Sequence, residues 1–155
     1  MLLGPLATKD PIPITTYSYE NFKEFLTFLY LGKCAINIEN VMAIVDLAES
    51  YNVQLLKDKC DTFLTNIEMT DANLYTVYAN LKMYSLKAAL ENLFDYISFN
   101  VETILSSFGF MSAKKEFILD IVKLETLSTT EENLFNSISF KFKHELINNF
   151  VFFKY

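Results

Sequence analysis

The chain has 155 residues, a hydrophobic fraction of 52% and a formal net charge of −6. That is apolar enough for a sizeable core and excludes an intrinsically disordered chain. All thirteen basic residues are lysine, and an acidic chain without guanidinium forks argues against a nucleic-acid surface.

Residues 1–18 read as an irregular segment, because Pro5, Pro11 and Pro13 forbid a helix through most of it. Ile12 and Ile14 alternate around Pro13, the pattern of a short edge strand. A first helix follows up to Leu31, with Gly32 as its stop. At about 100° per residue, Phe22, Phe25, Leu26 and Leu29 share one face. This places Leu29 deep in the core and Phe28 and Leu31 on the far side. A second helix follows Asn37, which reads as its N-cap. Its stripe is Val41, Ile44, Val45, Ala48 and Tyr51, and Asn52 breaks it. A third carries Val53, Leu56, Cys60, Phe63 and Leu64. Connections this short make neighbouring helices antiparallel or steeply crossed.

The residues from Phe25 to Gly32, Glu39-Asn40-Val41, Leu47 to Val53, and Leu55-Leu56 with Cys60 and Phe63-Leu64 follow one another at a telling spacing. Together they resemble the C-terminal half of a BTB/POZ domain, which shows "FL-x-FLYTG", "ENV" and "LAxxYxVxxL" followed by a cysteine. Leu31 stands where the family commonly has Thr. The resemblance places this half-domain at residues 19–65. The family's upstream strands and helical hairpin have no counterpart in the sequence. The chain therefore reads as a truncated domain, with an apolar patch near Phe28 and Leu31. It also reads as having a poorly ordered N-terminus through about Tyr17, and as needing a BTB partner or the missing half.

Residues 66–147 begin at a polar hinge, Thr65 to Asp71, where Thr70 reads as the cap of a helix over Ala72–Tyr84 with Leu74, Val77, Tyr78 and Leu81 as its stripe. Ser85 breaks that helix. Leu86, Ala89, Leu90, Leu93, Phe94 and Ile97 make the next stripe, ending near Asn100, and Val101–Ser106 reads as a separate short helix. Ser112 reads as the opening of another, with Phe117, Ile118, Ile121 and Val122 on one side. Thr129 and Glu132 have the spacing of a capping box that starts the last helix. Its stripe is Leu134, Phe135, Ile138 and Phe142, and residues 148–155 read as a tail.

Ile104 to Ser107, Gly109-Phe110, Phe117 to Val122, Leu127-Ser128 and Glu131 to Phe135 resemble the segments of a BACK domain, the helical module that commonly follows BTB. Lys141 stands where that family usually has Trp. The fold class expected is thus all-α, two small helical modules.

Residue types that could do chemistry are sparse. His144 is the one histidine and sits between Lys143 and Glu145, as a solvated surface residue would. Cys34 and Cys60 fit no metal-site spacing and suit a reducing compartment, cytoplasmic or nuclear. Glu131-Glu132 are explained as helix-start acids. Asp58 and Asp61 lack further oxygen ligands at calcium-loop spacing. The three glycines lie too far apart for a phosphate loop. The first seven residues are too short for a signal peptide, and no apolar run reaches the ~20 residues of a membrane span. No catalytic residue, cofactor, metal, membrane or small-molecule substrate is expected. Tyr30 stands out as an anchor with area plus a polar tip.

BTB-BACK proteins serve as adaptors of cullin-RING ubiquitin ligases, so the resemblance implies a cullin as partner. It puts Tyr30 and the loop to Lys33 on the cullin face and Tyr75 and Tyr78 on an extension of it, while Phe28 and Leu31 are the candidate contacts for a partner that covers the patch left by the missing half. The family's main cullin-contacting motif lies upstream of the matching segment, which predicts weak binding. The alternative is a self-association or scaffolding module without a cullin.

Overall fold

The computed structural model describes residues 13–152, with side chains through His144. Among these residues there are eight helices and no strand, an all-α architecture. Contacts divide the chain into two compact units that meet between Lys57 and Asp58, inside the third helix.

In the first unit, α1 (Tyr19–Leu31) starts at Ser18, whose Oγ accepts the Asn21 N–H at 3.2 Å. It stops at Gly32, which is left-handed at φ 68° and donates its N–H to the Phe28 carbonyl at 2.8 Å. Only a residue without Cβ adopts that conformation freely. α1 packs on α2 (Val41–Ser50), which buries Val41, Ile44, Val45, Leu47 and Ala48.

The buried line of α1 runs through Phe25 and Phe28. Leu29 is 49% exposed and Leu26 38%. This corrects the expected face: Phe28 belongs to the core and Leu29 does not. The cause is an excess of apolar residues around α1, which gives two candidate stripes that hydrophobic periodicity cannot rank. Phe22 and Phe25 of the expected stripe do face α2: Phe25 lies 5.0 Å from the Tyr51 ring and Phe22 lies 6.2 Å from it.

The N-cap of α2 is Asn40, three residues beyond the expected Asn37, which instead closes the turn that leads into the helix. The Asn37 Oδ1 accepts the N–H groups of Glu39 and Asn40, and the Asn40 Oδ1 accepts the Asn37 N–H in return. The Asn37 carbonyl also accepts the N–H of Val41, the first residue of the helix, at 2.9 Å. Asn52 ends the run at φ 54°, a conformation asparagine tolerates better than most residues. α3 (Gln54–Leu64) then buries Leu56, Cys60 and Leu64 at successive i, i+4 positions.

Ile12 lies outside the described residues. Ile14 is exposed and in no strand, so no edge strand forms there. The expectation of disorder through Tyr17 is corrected at its far end. The Tyr17 hydroxyl donates to Asp46 Oδ2 at 2.7 Å, which holds it against α2.

In the second unit, α4 (Leu74–Met83) repeats the asparagine device of α2. Asn73 Oδ1 accepts the Thr70 N–H at 2.9 Å, and its amide donates to the Glu68 carbonyl at 3.0 Å. Ser85 breaks the chain at φ 53°. α5 (Lys87–Ser106) is two helical segments joined across a kink at Asn100, whose backbone leaves the helical region at φ −112° and ψ 17°, so the helix break expected near Asn100 is present. The Asn100 side chain donates to the Tyr96 carbonyl at 2.8 Å and bridges the kink. Its N-terminus has no local side-chain cap; Asp61 of α3 accepts the N–H groups of Ala88 and Ala89 instead.

Ser112 closes α6 (Phe108–Ser112) and does not open the next helix, because α6 is capped by Ser107, and α7 (Lys115–Val122) starts after Lys114. α8 (Glu131–Phe152) is capped by Thr130, whose Oγ1 accepts the Asn133 N–H at 3.2 Å. The expected box on Thr129 is thus displaced by one residue. The Lys141 side chain is buried, and its ammonium donates to the Met111 carbonyl near the end of α6 at 2.8 Å.

Candidate functional site

Burying Phe25 and Phe28 turns the opposite face of α1 outward. Tyr30 is 84% exposed and Leu31 68%, with Leu29 and Lys33 also at the surface. These residues sit where the helix ends and the chain reverses. The reversal is fixed three times over. The Gly32 N–H closes the last turn, Glu24 Oε2 accepts the Ala35 N–H at 2.9 Å, and the Asn40 amide donates to the Ala35 carbonyl at 2.8 Å. The result is a held aromatic and aliphatic surface with a lysine beside it.

In the second unit, Tyr75 and Tyr78 lie on α4. Tyr75 is half-buried. Its ring stands 5.0 Å from that of Phe117, and its hydroxyl pairs with Ser107 Oγ at 3.1 Å. A Cβ on Gly109 would overlap the Tyr75 ring, so the glycine leaves the space in which the ring sits. Tyr78 is buried, in keeping with its place on the apolar stripe of α4, and this corrects its expectation as a partner contact. Its hydroxyl donates to Asp120 Oδ2 at 2.8 Å, and its ring meets Phe117 edge-on at 4.9 Å. The i, i+3 spacing puts the two tyrosines side by side on α4, and both rings pack on Phe117.

Asp120 of α7 also pairs with Lys82 at 2.9 Å and Lys123 at 3.5 Å. Burial alone would raise the Asp120 pKa. The hydrogen bonds from Lys82 and Tyr78 outweigh it and hold the carboxyl below its ordinary range. Burial, reinforced by the Asp120 charge, pushes the Tyr78 hydroxyl far above the usual tyrosine value. Tyr78, Asp120 and Lys82 thus form one hydrogen-bonded network at the edge of α4 and α7. α4, α6 and α7 border a groove of about 710 Å³, floored by Tyr75, Ala79, Gly109, Ala113 and Phe117, with Lys82 on its wall.

The sequence singled out Tyr30, Leu31, Lys33 and Tyr75, and all four retain surface. Phe28 and Tyr78 do not, since both are core side chains. Sequence reasoning missed Asp120, Lys82 and Gly109. A lone glycine inside an apolar helical stretch was the available signal for close packing at Gly109. The Tyr78–Asp120 pair, 42 positions apart, had none.

His144 is exposed, with its ring 6.5 Å from Phe140. Cys34 is half-buried and Cys60 buried. Among the described residues, no group of three or more His, Cys, Asp or Glu side chains could hold a metal ion, and no helix is long and apolar enough to cross a membrane.

Residues 1–68 match the family model of the BTB/POZ domain, a module of protein–protein interaction. The chain is also similar to the human BTB/POZ domain-containing protein 9, at 26% identity over 137 residues, covering 84% of this chain and 22% of that protein. Its similarity to the mouse protein of the same name is 24% over 155 residues, covering 96% of this chain and 25% of that protein. The chain thus spans about a quarter of the length of these curated relatives. An alignment of 137 residues exceeds the 68 matched by the domain model, so the likeness continues into the second unit.

Proposed function

We propose that this chain is a protein-interaction module that acts as the adaptor subunit of a cullin-RING ubiquitin ligase, inside the cell, and that the end of α1 is its partner surface. The observation that carries this reading is the exposed Tyr30–Leu31 pair, on a helix whose other face is core. A tyrosine held at a fixed helix end offers a large apolar contact and a polar tip without much loss of side-chain freedom on binding. The fixed reversal from Gly32 to Ala35 lowers the ordering cost further.

The second unit supports the same reading as a BACK-like module. Its helices lie in the part of the chain where similarity to the larger BTB/POZ relatives continues beyond the domain match. Tyr75 and the groove beside it supply a second contact, whereas Tyr78 shapes that groove from within through Asp120.

Calorimetric titration of the purified chain with a cullin N-terminal domain tests the proposal. Saturable binding that Tyr30→Ala weakens supports it. Absence of binding, with self-association of the chain at the same concentration, would instead assign it to scaffolding.

A further inference from the structure

We draw no further inference here: the strongest candidate, the groove between α4 and the α6–α7 segment, belongs to the face already proposed for a partner, and the Lys82 and Glu116 side chains on it are engaged with each other and, for Lys82, with Asp120, so nothing in the structure shows what would fill it.

Discussion

Glu24 and Ala35 stand eleven positions apart, and the carboxylate of the first accepts the backbone N–H of the second at 2.9 Å. This one bond ties the loop after α1 back onto the helix that presents Tyr30. It makes the proposed partner surface a structured object rather than a frayed helix end. Glu24→Ala is expected to leave the core intact, because the bond is solvent-exposed, and to cost at most ~1.5 kcal/mol. Amide hydrogen exchange should rise at Ala35 while staying unchanged at Ile44 and Val45. Unchanged exchange at Ala35 would show that the tether is not formed in solution.

Gly32→Ala tests the turn itself. A Cβ there meets nothing within 4 Å, so the cost is that of the left-handed backbone alone. That cost is ~1–2 kcal/mol. A thermal melt with no loss would mean that the turn adopts another conformation.

Phe25 and Leu29 make a paired test of the face that α1 buries. Phe25→Ala opens a cavity in a filled site and is expected to cost ~3–5 kcal/mol. Leu29 keeps half its surface in water, so Leu29→Ala should cost under ~1.5 kcal/mol. Urea melts that gave the two variants equal losses would return the core face to the one read from periodicity.

The Tyr78–Asp120–Lys82 network gives the second unit a pH dependence at both ends. The folded pKa of Asp120 is depressed below its ordinary 3.8. Its contribution is therefore present above about pH 4 and is lost as pH falls through the lower, folded value. The folded pKa of Tyr78 is raised above its ordinary 10.0. Its contribution is complete below about pH 10 and is lost as pH climbs toward the raised value. Tyr78→Phe should reduce the alkaline loss, leaving the smaller part that burial of the Tyr75 hydroxyl contributes, and cost ~1.5–3 kcal/mol at neutral pH through the charge-assisted bond. Chemical denaturation at pH 7 and above pH 10 checks both. An alkaline loss unchanged in the phenylalanine variant would assign it to other groups.

Gly109→Ala sets a methyl group against the Tyr75 ring, whose other side meets Phe117. Overpacking of this kind costs ~1–3 kcal/mol. Gly109→Ala combined with Tyr75→Ala should recover part of the loss, and a double variant worse than the sum of the two would contradict the contact.

Much of this fold was legible because its punctuation is local. Gly32, Asn52 and Ser85 act on their own neighbours, and each marks a boundary where the sequence places it, whereas Asn37 precedes the start of α2 by a turn. The core face of α1 was not legible, because Phe22, Phe25, Phe28 and Leu29 surround the helix and only α2 selects among them. The break at Asn100 was legible in the sequence. The cap of α5 by Asp61 was hidden, because a side chain from another helix satisfies backbone groups that helix patterns treat as local or lost. At the candidate site, Tyr30 and Leu31 were placed correctly at the surface. The sequence places Tyr78 both on the core stripe of its helix and as a partner contact; the first holds, and its bond to Asp120 of another helix had no local signal.

The central claim is that Tyr30 anchors a cullin. Its most direct test is the dissociation constant of the chain for a cullin N-terminal domain, measured by calorimetry alongside that of Tyr30→Ala, with a thermal melt of each. The account predicts that the variant binds ~30-fold more weakly, the loss of about 2 kcal/mol typical of an aromatic anchor, while its melt is unchanged. Equal affinity of the two proteins, or no binding by either, would contradict it.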